Sequence, residues 1–271
     1  MNLGDAAPTR SVPYRLSIFA YGVLAYCVGV GALVAAMLIL LGIYRFSGGP
    51  LQSSSFAQAL ALDLSLLVLF AVQHSAMARP SFKARWTRII PVAAERSSYV
   101  LATGLVLIPM LLLWQPMPTL IWSIETPAVR WLLLAIAVAG WGYLLAASFA
   151  INHFELFGLQ QVYQALRGQA QTPAPFRERW MYRFDRHPIM TGILIGLWVS
   201  PTMTLDHLLF ALGCTIYVWI GVFFEERSLR RQLGEPYEDY CRRVPSIVPT
   251  FGAHRTKSET SATAISPRSS R

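Results

Sequence analysis

The chain has 271 residues, of which 54% are hydrophobic and only 14% are charged, whereas an average soluble domain carries roughly 25% charged residues. This composition argues against a soluble enzyme and favours a protein embedded in lipid. The formal net charge is +9, which a membrane face rich in anionic lipid explains better than nucleic acid does, so we expect membrane lipids as partners and no nucleic acid. The three cysteines are scattered and predict neither a disulfide framework nor a metal site.

Six apolar runs predict an all-α fold, a polytopic membrane bundle of about 5–6 transmembrane helices. A helix needs about 20 residues to cross a bilayer, and the fifth run is shorter than that, so we interpret it and the sixth run as a C-terminal helical hairpin. The first run is too long for a signal-peptide core and is interpreted as a retained anchor. The runs cover residues 16–44, 56–77, 98–114, 129–149, 188–200 and 207–224.

The basic residues predict an orientation for these spans. If six spans alternate, 21 of the 23 Lys and Arg residues fall on one side, which is the cytoplasmic side by the positive-inside rule. Both termini are then expected in the cytoplasm, in the setting of a bacterial inner membrane. We expect residues 1–15 to form a cytoplasmic segment, residues 16–251 the membrane domain, and residues 252–271 a disordered tail that has little to bury.

Two spans end in polar sequences on the side predicted to be cytoplasmic. The second ends with His74, and the fourth with His153 and Glu155. Ionisable groups near membrane depth are costly and usually face a cavity or a partner, so these three residues are candidate site residues. There are plainer alternatives: His74 could cap the end of its helix, and His153 and Glu155 could pair with basic loop residues.

The hairpin carries a second group of candidates. Pro188 suits the first position of a helix, where its missing N–H costs nothing. A returning helix would bring Glu225 and Glu226 to the membrane face that holds Arg186 and His187. A helix start favours a carboxylate, and acidic side chains favour cationic and hydroxyl groups, so this arrangement suits a small zwitterionic or sulfonium-bearing ligand. The two glutamates could instead be ordinary partners of nearby arginines.

These motifs, in this order and at this separation, resemble the C-terminal half of the isoprenylcysteine carboxyl methyltransferase-like membrane enzymes. Upstream strings around His74 and His153 narrow the resemblance to the methanethiol S-methyltransferase branch and extend it over residues 60–249. Met190 departs from the prenylcysteine enzymes, which commonly carry a tyrosine there, and this makes a prenylcysteine substrate less suitable. The strings are Arg186-His187-Pro188 with Gly192, Glu225-Glu226-Arg227, Gln73-His74-Ser75 and Asn152-His153-Phe154-Glu155.

The resemblance implies S-adenosyl-L-methionine as the methyl donor and no metal, and it does not by itself fix the acceptor. The leading interpretation is an integral membrane S-methyltransferase that converts methanethiol, a small thiol, to dimethyl sulfide. The amino-acid end of the donor is assigned to Arg186, His187 and the amides after Pro188. Its ammonium or ribose hydroxyls are assigned to Glu225 and Glu226. Close approach of the adenosine is assigned to Gly192, although Gly192 and Gly196 also form a G-x-x-x-G pattern that is typical of helix packing.

The acceptor thiol must lose a proton, and a histidine hydrogen-bonded to a carboxylate is the usual acceptor. His153 with Glu155 is the first candidate and His74 the second. Two other functions stay open at this point: methylation of a lipid-borne acceptor, such as a prenylcysteine carboxylate or a phospholipid amine, and a non-catalytic carrier. A carrier would place its ionisable groups near the bilayer midplane, whereas these gather at span ends, which favours an enzyme.

Overall fold

The computed structural model describes residues 11–170 and 180–247 of the chain. These residues are almost entirely helical. The helices are α1 (Val12–Leu40), α2 (Phe56–Ala78), α3 (Pro80–Trp86), α4 (Glu95–Leu113), α5 (Pro127–Ile151), α6 (His153–Leu156), α7 (Leu159–Arg167), α8 (Pro188–Trp198), α9 (Leu205–Leu233) and α10 (Glu235–Arg243). Short 3₁₀ turns cover Val92–Ala94 and Trp180–Arg183, and two strands are present, β1 (Leu120–Ser123) and β2 (Thr202–Thr204).

Five helices in the described ranges are long and apolar enough to cross a membrane: α1, α2, α4, α5 and α9. The sixth apolar helix, α8, has only 11 residues, which at 1.5 Å per residue span about 16 Å. The predicted polytopic helical bundle with one short hairpin arm is therefore confirmed. This is a multi-pass membrane protein.

Helices α1 and α4 approach each other closely because small residues line their contact. A methyl group added at Gly104 would lie 3.1 Å from the Cα of Gly29, and one added at Gly29 would lie 2.4 Å from a methyl of Val100. Backbones this close need residues without side chains, as in other membrane helix pairs. The α1–α4 pair is thus closely packed, and it carries residues of two polar clusters described below.

Helices α5 and α8 form a second close pair, and they run antiparallel. Strand β1 precedes α5 and strand β2 follows α8, and the two strands pair antiparallel through Leu120 with Thr204 and Ser123 with Thr202. The end of α8 therefore lies beside the start of α5. It follows that the start of α8 is level with the last turns of α5, at the end of the bundle where the predicted site residues are found.

The two strands were not predicted, because runs of three and four residues carry no readable alternation of polar and apolar side chains. They close the end of the bundle opposite to the candidate site. The indole nitrogen of Trp122 donates a hydrogen bond to the backbone carbonyl of Ser200 at 3.0 Å, which fixes the sheet to the end of α8.

The C-terminal end of the described chain folds back on α9. Helix α9 continues past the predicted apolar run, because polar residues that favour helix follow residue 224. Gly234, with a φ of +62°, then turns the chain into α10. Tyr237 and Tyr240 are buried and pack against Leu229 and Leu233. This packing carries residues 244–246 back to the start of α8.

Candidate functional site

The first polar cluster lies where α8 begins, and Arg186 is at its centre. Its guanidinium donates to Oε1 of Glu226 through Nη2 at 2.6 Å and through Nε at 3.0 Å. Its Nη1 donates to the backbone carbonyls of Cys241 at 3.0 Å and Val244 at 2.6 Å. Charge-assisted bonds of this kind are strong and directional. Arg186 therefore holds Glu226 and the folded-back chain, and its role towards a ligand carboxylate stays a prediction.

The two glutamates of α9 are not equivalent, although the sequence suggested the same role for both. Glu226 also accepts hydrogen bonds from Ser246 Oγ at 2.9 Å and from His187 Nε2 at 3.3 Å. Its side chain is 14% exposed, whereas that of Glu225 is 52% exposed. The carboxylate of Glu225 lies beside His187, whose Nδ1 is 3.7 Å from Oε2. Glu225 is therefore the carboxylate that remains open to a ligand.

Sequence reasoning missed Asp185, which is fully buried beside His187. One carboxylate oxygen accepts from the backbone N–H of His187 at 2.9 Å, and the other accepts from the hydroxyl of Thr191. The phenol of Tyr143, on α5, also hydrogen-bonds to this carboxylate. Burial raises the pKa of Asp185 above its usual range. An acidic residue just before a helix start was a readable signal, since carboxylates stabilise that end of a helix.

The position of Asp185 changes the predicted role of the α8 start. The protein supplies its own carboxylate there, so a ligand carboxylate has a competitor at this helix end. Across the whole cluster, the carboxylates of Asp185, Glu225 and Glu226 outnumber the guanidiniums of Arg186 and Arg230, which reaches Glu226 at 3.4 Å. The exposed carboxylate among them, that of Glu225, favours a cationic group on a ligand.

Pro188 and Gly192 have separate roles in α8. Pro188 is the first helical residue, as predicted. A methyl group added at Gly192 would lie 2.7 Å from the carbonyl oxygen of Gly140 and 2.7 Å from the amide nitrogen of Leu144. The backbone of α5 thus fills the space next to Gly192. This contact is helix packing, the alternative that the G-x-x-x-G pattern left open, and the close approach of an adenosine to Gly192 stays a prediction.

The second polar cluster surrounds His153, which is 4% exposed. Its Nε2 lies 2.9 Å from the phenol oxygen of Tyr26 on α1, and its Nδ1 lies 2.8 Å from the hydroxyl of Ser148 on α5. The ring stacks on Phe149 with centroids 4.3 Å apart and contacts Phe157 at 4.8 Å. This apolar enclosure lowers the pKa of His153 below its usual range. His153 is therefore a neutral imidazole at pH 7, held by two hydroxyl groups.

Glu155 does not supply the partner that was expected for His153. Its Oε2 accepts from Nδ2 of Asn152 at 3.1 Å. Asn152 in turn caps α6 by accepting from the backbone N–H of Glu155 at 3.3 Å. The predicted His153–Glu155 pair is thus replaced by an asparagine cap, a local interaction that competes well at a helix start.

The third polar cluster contains His74, a residue of α2 whose ring faces α4. Its Nε2 lies 2.7 Å from the phenol oxygen of Tyr99, and its Nδ1 lies 3.2 Å from Oγ1 of Thr103. Nearby, Ser75 hydrogen-bonds to Tyr217 of α9 at 3.1 Å. Because its nitrogens bond side chains of another helix, His74 joins helices, which is not the capping role considered from the sequence.

Arg96 connects the second and third clusters. Its Nε donates to the carbonyl of Leu156, at the end of α6, at 2.7 Å. Its guanidinium carbon also lies 5.0 Å from the centre of the Tyr99 ring, a cation–π contact. Beside it, Ser97 Oγ donates to the carbonyl of Gly158. Through Arg96 and Ser97, the start of α4 is therefore bound to the segment that carries His153. The same helix contacts His74 through Tyr99.

In the part of the chain that the structure describes, no three His, Cys, Asp or Glu side chains come together as metal ligands. The groups that the structure brings together at this end of the bundle are carboxylates, imidazoles and phenols. The sequence-based candidates belong to three neighbouring clusters at one end of the bundle. The antiparallel α5–α8 pair and the contacts of Arg96 bring these clusters to the same end.

Comparison with known proteins relates most of the chain to methanethiol S-methyltransferases. The methanethiol S-methyltransferase of Mycobacterium tuberculosis is 46% identical over 197 residues, which are 73% of this chain and 81% of that relative. Methanethiol S-methyltransferase 1 of Bradyrhizobium diazoefficiens is 40% identical over 89% of this chain and 85% of its own length. Nurim of Sus scrofa is 34% identical over 81% of this chain and 89% of its own length.

No family model matches the chain, and no solved structure does. The curated relatives carry the assignment by themselves, because they share identity over most of both chains. The chain belongs to the methanethiol S-methyltransferase family.

Proposed function

We propose that this protein is a membrane-bound S-methyltransferase that takes a methyl group from S-adenosyl-L-methionine and adds it to methanethiol, giving dimethyl sulfide. The names of the family members support the acceptor. The observation that carries the proposal is the unequal exposure of two glutamates of α9 that lie beside the start of α8. Glu226 is held by Arg186, and Glu225 stays open beside His187.

The residues of the first cluster fit a donor of this kind. When bound, the donor supplies a methyl group on a positively charged sulfur, and its transfer to a thiolate joins opposite charges into neutral products, which a water-poor pocket favours. The exposed carboxylate of Glu225 suits a ligand that carries cationic groups. Glu225 binds the ammonium or ribose hydroxyls. Arg186 and Asp185 act by positioning Glu226 and His187.

The second cluster supplies the proton acceptor. A thiol reacts as its thiolate, so a base has to remove its proton. His153 is neutral at pH 7, because its aromatic enclosure lowers its pKa, and a neutral imidazole can take up a proton. Its two hydroxyl partners hold the ring in place. His74, which is bonded to Tyr99, is the second candidate for this role.

We also propose the orientation of the chain in the membrane. The three clusters lie at the cytoplasmic end of the bundle, where a cytoplasmic methyl donor and thiol are available. Both termini and the connection at residues 78–97 are cytoplasmic, and the connection at residues 115–128, which contains β1, is outside. The distribution of 21 of 23 basic residues supports this orientation.

A parallel assay tests the proposed activity. Detergent-purified protein is given S-adenosylmethionine with a labelled methyl group, together with methanethiol, a prenylcysteine or a phospholipid. We expect labelled dimethyl sulfide from methanethiol and only background label in the other two acceptors. Label in the prenylcysteine or in the phospholipid, with none in dimethyl sulfide, would reject methanethiol as the acceptor.

A further inference from the structure

The hydrogen bonds around His153 fix which of its nitrogens carries the proton. The hydroxyl of Ser148 donates its single hydrogen to the carbonyl of Leu145 at 2.7 Å. Towards His153 it can therefore only accept, so Nδ1 of His153 is the donor in the 2.8 Å contact with Ser148. In the neutral ring Nε2 is then an acceptor, and the phenol of Tyr26 donates to it at 2.9 Å.

This tautomer has a consequence for the proposed base. Both ring nitrogens of His153 are engaged, and the ring is enclosed by aromatic side chains. A thiol therefore has no direct path to the accepting nitrogen, Nε2, which Tyr26 covers. Tyr26 is half-buried, whereas Ser148 is 2% exposed, so Tyr26 is the more exposed end of this hydrogen-bonded chain.

A groove of about 550 Å³ lies between α1, α6 and α7. Phe19 and Val23 line it from α1, and their spacing from Tyr26 places all three on one face of that helix. Phe154, which follows His153 directly, lines it from α6. The polar side chains among the groove residues are a tyrosine and three glutamines, all uncharged. Such a lining suits a neutral, largely apolar ligand.

We propose that this groove receives the acceptor thiol and that Tyr26 is a further catalytic residue, which passes the thiol proton to Nε2 of His153. The proposal rests on the proposed function and specifies its acceptor site. Methanethiol has only two heavy atoms, so a groove of this volume also accepts larger apolar thiols such as 1-butanethiol.

The proton balance of this step is complete. The phenol of Tyr26 gives its proton to Nε2 of His153 and takes the proton of the thiol S–H bond. The sulfur electron pair that is released forms the new S–CH₃ bond, while the donor sulfur keeps the electron pair of the bond that breaks. The products are a neutral thioether from each sulfur and one imidazolium, which returns its proton to water.

The first test is the turnover of Tyr26→Phe with methanethiol from pH 6 to pH 9.5. The ring and its packing are kept and only the hydroxyl is lost. We expect turnover at pH 7 to fall by roughly 100-fold to 10,000-fold, as for other positioned acid–base groups, and the loss to shrink at high pH, where solution supplies the thiolate. The KM for the donor should stay unchanged.

Tyr21→Phe is the matched control, because Tyr21 is on the same helix and its phenol donates to Ser98 at 2.8 Å, away from His153. We expect its turnover to remain close to that of the unchanged protein. A Tyr26→Phe variant that keeps full turnover, or that loses the same factor at every pH, would overturn the role of Tyr26.

The groove is tested with Val23→Trp, which fills it from α1. We expect the unchanged protein to methylate both methanethiol and 1-butanethiol. In the variant, kcat/KM for 1-butanethiol should fall by at least about 10-fold more than kcat/KM for methanethiol, because the longer alkyl chain needs the space that the tryptophan fills. If the unchanged protein accepts methanethiol but rejects 1-butanethiol, the groove assignment fails while the proposed function stands.

A spectroscopic measurement tests the tautomer independently of activity. The chain has five histidines, so ¹⁵N-histidine labelling gives few signals, and the His153→Gln variant identifies those of His153. We expect the proton on Nδ1 and a change of the Nε2 signal in Tyr26→Phe. A proton on Nε2 would overturn the proposal whether or not methanethiol is the acceptor.

Discussion

Arg186 and Glu226, which are 40 positions apart in the chain, are joined by two hydrogen bonds to the same carboxylate oxygen, at 2.6 and 3.0 Å. The pair connects the start of α8 to the polar C-terminal part of α9. Both side chains are largely buried. Removal of one partner therefore leaves a buried charge without its counterpart.

This pair predicts a stability defect for Arg186→Gln. Breaking a buried ion pair from one side typically costs about 3–5 kcal/mol, so we expect a clear fall in the melting temperature of the detergent-solubilised protein. Arg227→Gln, at an exposed position next to Glu226, is the control and should melt like the unchanged protein. Equal melting temperatures for the two variants would contradict the role assigned to Arg186.

The unequal exposure of the two glutamates predicts unequal effects on donor binding. Glu225→Gln should weaken S-adenosylmethionine binding by roughly 10-fold, the equivalent of about one charged hydrogen bond, with little change in melting temperature. Glu226→Gln should lower the melting temperature, because it removes the negative charge that pairs with the buried guanidinium of Arg186. Titration calorimetry and thermal unfolding of both variants separate a binding role from a positioning role. The reverse assignment of the two effects would be inconsistent with the geometry.

The glycines of the α5–α8 contact give a matched pair of substitutions. A methyl group at Gly192 meets backbone atoms of α5 at 2.7 Å, whereas one at Gly142 meets nothing within 4 Å. We expect Gly192→Ala to destabilise the protein by about 1–3 kcal/mol through overpacking, and Gly142→Ala to leave it unchanged or slightly more stable. Thermal unfolding measures both. A Gly192→Ala variant that folds normally but loses donor binding would support the predicted ligand role for Gly192.

The enclosure of His153 predicts a dependence of stability on pH. Its pKa in the folded protein is lower than in the unfolded chain, where it is about 6.5, so the unfolded chain takes up the proton first. Stability is thus full above pH 6.5 and is lost as the pH falls below it. Melting temperatures between pH 5 and pH 8 should fall on acidification, and His153→Gln should flatten that fall. An unchanged slope in the variant would mean that other groups cause it.

The proposed orientation is tested by single-cysteine labelling in a background without Cys27, Cys214 and Cys241. We expect a cysteine at Glu125, an exposed residue just after β1, to react with an impermeant reagent added from outside. A cysteine at Arg85, an exposed residue of α3, should react only after the membrane is opened. Labelling of Arg85→Cys in intact cells would invert the orientation.

The sequence predicted the spans well because length and apolar content decide which segments cross a bilayer. It also predicted that His187 and the glutamates meet, because a hairpin of two helices leaves little choice. It could not predict which glutamate stays open, since that depends on Ser246, which α10 carries back. Nor could it pair His153 with Tyr26, which lies 127 positions away. The contact between two side chains of this separation depends on how α1 packs beside α6, and no local pattern reports it.

The return of the chain after α10 has a consequence for biosynthesis. Nη1 of Arg186 is bound to the carbonyls of Cys241 and Val244, and Ser246 donates to Glu226. The cluster at the start of α8 is therefore complete only after the ribosome has released these late residues. A nascent chain whose spans are all inserted still lacks three of the hydrogen bonds that hold Arg186 and Glu226.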